Sequence, residues 1–349
     1  MIRNFRKLAA VAVAGALLLP VASAPPSSAA KSARPPKFVD LDKVPAPKIT
    51  GAEIITGLEE LVENYPARYN LPGVGPSPHN IAVSDFLAEE AKGFGYKTRI
   101  LELQGGTPAR TVRVVEAVKR GTTNPDEWIT FIAHYDTIAS AGLTIQGAYD
   151  DGSGTNILRY FAKAFSKVKT HKSIAILWFD AEESGLVASQ LYADMLEKKD
   201  QQVAAAFGFD MVGIGYPAPY CICVYHGPAP EDALKALPII DYVNFDYLKF
   251  PEGDGGPAAT EKWPFGTDPH VCSCGPNIRN SDESNFAEKG WFSIRWTGMR
   301  TASDYPGYHY PWDTVPFMEA VAGGRENLEQ GTENTFKSAY YTAFVVDNL

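Results

Sequence analysis

The stretch Trp128-Ile129-Thr130-Phe131-Ile132-Ala133-His134-Tyr135-Asp136-Thr137 reads as a buried strand that ends in polar chemistry. Trp128–Ala133 carries no charge, and His134 and Asp136 come directly after it. A strand covered on both faces needs no polar alternation, so such a run suits a parallel sheet with helices on either side. The pattern recurs along the chain. Ser173–Phe179 ends in Asp180, Glu182 and Glu183, and Ala204–Phe209 ends in Asp210. Between these runs, Gly154–Lys167 and Gly185–Lys198 carry helical periodicity. Strand and helix in alternation predict an α/β fold. It is expected to be a single globular domain whose mostly parallel, mixed central sheet is flanked by helices on both faces.

Further out, Ile54–Asn64 and Asn80–Phe94 read as helices, and Tyr96–Leu103 and Thr111–Lys119 as strands. Downstream come a strand at Tyr220–Tyr225, a helix at Glu231–Tyr242, a strand at Phe292–Trp296 and a closing helix at Glu326–Val346. Phe250 to Asn280 is rich in Gly, Pro and Cys and lacks periodicity. It is expected to be a long loop, the kind that often forms part of an active site.

The N-terminus has a different character. Arg3, Arg6 and Lys7 precede an apolar run from Leu8 to Ala22, the pattern of an export signal and too short for a comfortable membrane span. Pro25 disfavours cleavage after Ala22-Ser23-Ala24. Ser28-Ala29-Ala30 is the better site, which gives residues 1–30 as signal peptide. Residues 31–48 read as a linker or surface tail and 49–349 as the folded domain. The expected location is secreted or periplasmic, with no stable membrane insertion after cleavage. Nothing in the chain sets an oligomeric state.

The whole chain has 349 residues, 32 basic and 41 acidic. Without the signal, 29 basic side chains face 41 acidic ones, a net −12. That balance argues against nucleic acid as a partner, because the phosphate backbone is repelled. Four cysteines form two C-x-C pairs, Cys221/Cys223 and Cys272/Cys274. Alternate residues on a strand share a face. Two neighbouring pairs in an oxidising compartment are therefore expected to cross-link, with connectivity open.

Open parallel sheets bind ligands beyond the carboxyl ends of their strands. His134 and Asp136, then Glu182 and Glu183, then Asp210, all fall there. Asp150 lies in Gly147-Ala148-Tyr149-Asp150-Asp151-Gly152-Ser153-Gly154, just before a helix, and His309 in Tyr308-His309-Tyr310-Pro311-Trp312-Asp313-Thr314. So many acids on one edge repel one another without a cation. Two imidazoles among carboxylates suit zinc better than calcium or magnesium. With one bridging carboxylate, the set holds two metals.

These segments, together with Phe209-Asp210-Met211-Val212-Gly213 and Ser281-Asp282, resemble in content and order the co-catalytic zinc aminopeptidases, the group that includes secreted bacterial aminopeptidases and glutamate carboxypeptidase. The resemblance covers about Ala133 to Thr314. It implies two zincs per chain: His134 and Asp210 on one, Glu183 and His309 on the other, and Asp150 between them. It implies Glu182 as general base, Asp136 as the group that orients His134, and Tyr308 as a donor to the oxyanion. The implied substrates are peptides with a free N-terminus. Glu283 stands where relatives often have His or Tyr, and is expected to add negative charge near the specificity region. Glutaminyl cyclase, which shares similar motifs and typically uses one zinc, is the nearest alternative. A non-enzymatic binding module on the same fold and a dinuclear hydrolase of other esters or amides are the others.

Overall fold

The computed structural model describes residues 38–140, 143–215, 223–228, 230–250, 272–276, 280–298 and 305–349. Its strands are β1 (Asn70–Leu71), β2 (Gly75–Pro76), β3 (Lys97–Gly105), β4 (Arg110–Lys119), β5 (Asn124–His134), β6 (Lys172–Phe179), β7 (Gln202–Phe209), β8 (Cys223–His226), β9 (Cys272–Pro276) and β10 (Ser293–Thr297). Its α-helices are α1 (Gly51–Asn64), α2 (Pro78–Gly93), α3 (Ser153–Phe165), α4 (Val187–Lys198), α5 (Pro230–Asp241), α6 (Glu283–Ala287), α7 (Val315–Ala322) and α8 (Arg325–Asp347).

Eight strands form one mixed sheet in the order β3-β4-β6-β5-β7-β10-β8-β9. Its centre, β6-β5-β7-β10, is parallel throughout. The registers pair His134 with Phe179 and Ile132 with Gly208. The carboxyl ends of three strands therefore finish level with one another, and the residues just beyond them share one edge of the sheet.

Side chains on β5 alternate between two cores, as pleating requires. Ile129, Phe131 and Ala133 pack with α1, α2, α3 and α8 on one face, whereas Ile132 packs with α4 and Phe286 on the other. Phe131 anchors the larger core. Its ring lies 4.7 Å from Phe161, 5.5 Å from Phe207 and 5.9 Å from Phe209, and Phe209 stacks in turn on Trp296 at 5.4 Å. Burying such a side chain contributes roughly 1.5–3 kcal/mol.

Helix starts obey capping chemistry. The Thr50 hydroxyl accepts from the Glu53 N–H while the Glu53 carboxylate accepts from the Thr50 N–H, a reciprocal capping box that starts α1. Ser77 caps α2, with Pro78 at its first position. Helix α4 begins at Val187, two residues later than periodicity suggests, because Gly185 and Leu186 adopt left-handed backbone (φ 103° and 59°). Short elements without periodicity, namely the β1–β2 hairpin, α6, α7 and β9, are not anticipated by pattern reading. Strand β9 falls inside the expected loop from Phe250 to Asn280, most of which lies outside the described residues, as do residues 220–222 of the expected strand at Tyr220–Tyr225.

The expected signal segment, 1–30, also lies outside the described residues. Part of the tail expected at 31–48 is packed. Leu41 is buried in the main core, and the tail's carbonyls accept from core tyrosines: Val39 from Tyr242 (2.8 Å), Leu41 from Tyr247 (3.2 Å) and Pro45 from Tyr340 (2.8 Å). Among the described residues, no helix is long and apolar enough to cross a membrane.

Candidate metal centre

His134 closes β5, Glu183 lies four residues beyond β6, and Asp210 is the first residue after β7. The sheet thus delivers three candidate ligands to one edge. Asp150 arrives on the loop that leads into α3, and His309 on the loop that leads into α7. His134 Nε2 lies 3.3 Å from Asp150 Oδ1 and 3.9 Å from Asp210 Oδ1. His309 Nε2 lies 3.0 Å from Glu183 Oε2 and 3.3 Å from Asp150 Oδ2. The ligand atoms of His134, Asp150 and Asp210 lie within 4.8 Å of one another, and so do those of Asp150, Glu183 and His309. Asp150 belongs to both groups and turns one oxygen to each histidine.

Glycine makes the Asp150 loop possible. Gly147 has left-handed backbone (φ 56°), and a Cβ there would meet Asp150 O at 2.4 Å. At Gly154 a Cβ would meet Phe209 O at 2.2 Å and Asp151 Oδ2 at 2.3 Å, so only glycine lets α3 close on the end of β7. The peptide between Asp150 and Asp151 is cis.

The neighbouring acids hold backbone in place. His134 Nδ1 faces the carbonyl of Asp136 at 3.2 Å and its Oδ1 at 3.4 Å. The Asp136 carboxylate also accepts from the N–H groups of Glu182 (3.0 Å) and Glu183 (3.3 Å), so one side chain joins the ends of β5 and β6. Asp151 Oδ1 accepts from Gly154 N–H (2.7 Å) and Met211 N–H (3.2 Å), which ties the α3 entrance to the residue after Asp210. Glu183 Oε1 accepts from Ile138 N–H at 3.0 Å. Tyr308 stacks on the His309 imidazole with centroids 3.7 Å apart.

Electrostatics express a deficit of positive charge. Burial opposes protonation of His309, but the Asp150 and Glu183 carboxylates prevail and push its pKa up to about 10. His134 rises well above the usual histidine range against burial, driven by Glu182 and the other carboxylates around it. Burial and then the Asp150 charge push Glu183 up to about 7. Asp150 resists its own burial through both histidines and falls to about 2. Burial raises Glu182 well above the carboxylate range, and Asp282, Asp210 and Glu183 add to the rise against His134. A site that draws protons onto both histidines while Glu182 and Glu183 resist ionisation is short of cations. His309 Nε2 is buried without a properly aligned hydrogen bond although two carboxylate oxygens stand within 3.3 Å. Two imidazoles and three carboxylates in this arrangement fit zinc.

The central segment has known counterparts. Residues 113–245, from β4 through α5, match the profile of peptidase family M28. Over that segment the chain is similar to family M28. Aminopeptidase YwaD of Bacillus subtilis is 24% identical over 247 residues, covering 70% of this chain and 47% of that relative. The chain thus spans about half the length of that curated relative. Among solved structures, a zinc aminopeptidase from Bacillus subtilis aligns with a TM-score of 0.64 at 14% identity, covering 85% of this chain and 96% of that one. Glutaminyl cyclase of Fimbriiglobus ruber aligns at 0.63 and 14%, covering 90% and 99%. At such identities the likeness shows the fold alone.

One expectation fails. Glu283 does not charge a specificity pocket. Its carboxylate is fully buried, lies against Gly208, and has an oxygen 3.7 Å from the Arg295 guanidinium. As the first residue of α6 it turns under β7 instead. His171 pairs with Asp347 at 3.6 Å, and His226 faces the Gly227 carbonyl, so both belong to the scaffold.

The residues that sequence reading misses around the candidate centre are its supports. Arg68 is fully buried, and its guanidinium donates to the carbonyls of Tyr65, Tyr135, Gln146 and Gly147 at 2.7–3.0 Å. Asp180 accepts from Asn70 (2.6 Å), Asn80 (2.8 Å) and the Arg113 N–H (3.2 Å), which anchors the β1–β2 hairpin and α2 to the end of β6. Asp282 is buried beside Glu182, and burial raises it to about 7. No motif marks Arg68, Asn70 or Asn80, since their partners lie far away in sequence.

Proposed function

We propose that the chain is an exported aminopeptidase that works with two zinc ions. The observation that carries this reading is the pair of ligand groups sharing Asp150 at the carboxyl ends of parallel strands. His134 and Asp210 would hold one ion, Glu183 and His309 the other, with Asp150 between. Bound there, the ions supply Lewis-acid activation of a water and of the scissile carbonyl. Glu182 takes the proton of the attacking water and returns it to the departing amine, and its raised pKa suits both halves of that task. Asp136 fixes the His134 ring and the Glu182 backbone together. Tyr308 would donate to the developing oxyanion. Substrates would be peptides with a free N-terminus, in keeping with the names of the relatives.

Export is supported by the basic and apolar pattern of residues 1–30. Cross-linking of the cysteine pairs is supported by the parallel pairing of β8 with β9, which sets Cys223 opposite Cys272. Labelling of free thiols in the unreduced protein would refute it.

The deciding experiment measures zinc per chain together with hydrolysis of aminoacyl-anilides by wild type and Glu182→Ala. Two zincs, with turnover reduced about 10²–10⁴-fold in the variant, support the reading. One zinc without anilide hydrolysis favours the cyclase chemistry, and no metal favours a binding module.

A further inference from the structure

Asp313 lies four residues beyond His309, and the zinc reading assigns it nothing. It is buried, and three donors converge on its carboxylate. Oδ1 accepts from the Tyr149 N–H at 2.9 Å and the Tyr305 hydroxyl at 3.0 Å, and Oδ2 accepts from the Asp150 N–H at 3.1 Å. The Asp313 carbonyl accepts from the Ala148 N–H at 3.3 Å. One residue therefore fastens the loop that carries His309 to the backbone of Asp150, whose Oδ2 lies 3.3 Å from His309 Nε2. The Asp150 loop has a second tether. Arg68 grips the Gln146 and Gly147 carbonyls there and joins them to the Tyr135 carbonyl, next to His134. The bridging loop thus has two fastenings, each leading to one histidine.

We propose that Asp313 is a positioning residue for one half of the centre: it sets zinc affinity at Asp150, Glu183 and His309, and leaves the His134 half to the Arg68 tether. The inference rests on the two-zinc reading. The chemistry requires a carboxylate. Two adjacent backbone N–H groups need two acceptor oxygens side by side. Asparagine supplies one, and in either orientation its amide NH₂ confronts one of those N–H groups. Asp313→Asn therefore keeps the shape of the side chain while releasing one strand of the fastening. Metal–ligand distances tolerate only about 0.2 Å, so a small drift of His309 is felt. Loss of an outer-shell partner typically weakens metal binding about 10–100-fold.

The test titrates zinc into the full chain against a chromophoric chelator. Wild type, Asp313→Asn, Tyr305→Phe, His309→Ala and the His309→Ala/Asp313→Asn double variant are compared. The expected result is two zincs on wild type, with one of them weakened about 10–100-fold by Asp313→Asn and the other unchanged. Tyr305→Phe removes one of the three donors and should weaken the same zinc less. In the His309→Ala background, where one zinc remains, adding Asp313→Asn should change nothing. Equal weakening of both zincs, or of neither, overturns the proposal. If Asp313→Asn does not fold, unchanged zinc affinity in Tyr305→Phe overturns it. Fewer than two zincs on wild type removes the two-zinc reading and this inference together, whereas two zincs on wild type with an unaffected Asp313→Asn removes this inference alone.

Discussion

Arg68 offers the sharpest test of how this centre is built. Its side chain is fully buried and meets four backbone carbonyls, at 2.7 Å (Tyr135), 2.8 Å (Gln146) and 3.0 Å (Tyr65 and Gly147). Burial lowers its pKa to about 10, so it stays charged at neutral pH beside Asp151, Asp313, Asp136 and Asp150. Arg68→Met keeps much of the packing volume and removes every donor. A buried acceptor left unsatisfied costs roughly 1–3 kcal/mol, so four at the low end give about 4 kcal/mol. That exceeds the range of about 0.5–3 kcal/mol for most single substitutions. Arg68→Lys restores a cation but not the planar fork, and should recover no more than about half of the loss. The assay is urea denaturation with and without zinc. A loss below about 1 kcal/mol for Arg68→Met would show that the four carbonyls are satisfied without the guanidinium, and the tether would have no energetic basis.

Gly154→Ala places a Cβ 2.2 Å from the Phe209 carbonyl oxygen, against ordinary contact from 3.4 Å, so α3 and the end of β7 must separate by about 1 Å. Overpacking of this kind costs about 1–3 kcal/mol, and zinc stoichiometry should fall alongside the melting temperature; unchanged values for both would refute the close approach as a constraint. Chelator-treated protein should melt lower as pH rises. Asp180, Asp282, Asp313 and Glu183 are raised to about 7, so their contribution is complete below the ordinary carboxylate range and lost as pH rises through about 7; that of His309 is lost through about 10. Zinc competes with protons for the same ligands, so the melting-temperature gain from zinc should grow over that interval, and a gain that shrinks between pH 5 and pH 8 would contradict the ligand set. Leu41→Ala should cost about 2–5 kcal/mol, the range for a buried leucine, and a near-zero effect in thermal melts would mean that the packed tail is dispensable.

Much of the architecture is legible in the chain because it depends on local pattern. Trp128–Ala133, Ser173–Phe179 and Ala204–Phe209 are uncharged runs of strand length, and all three become neighbouring parallel strands. Charged groups cannot enter such a core, so the polar residues gather where the runs stop, and that alone marks His134, Glu183 and Asp210. The helix limits are less legible. Periodicity does not register the left-handed turn at Gly185 and Leu186, and it passes over elements as short as α6 and β9. Glu283 misleads because its neighbours in sequence point to a pocket while the α6 backbone turns it toward Arg295.

By itself, the sequence determines the alternation of strand and helix, the edge on which the candidate ligands gather and the donor types that suit zinc, because each depends on which residue ends which run. Only the tertiary structure decides that Asp150 faces both histidines and that Arg68 and Asp313 both grip its loop. It also decides that Asp180 anchors Asn70 and Asn80. These contacts join residues about 80 to 160 positions apart, and hydrogen bonds across such separations have no period or spacing to announce them.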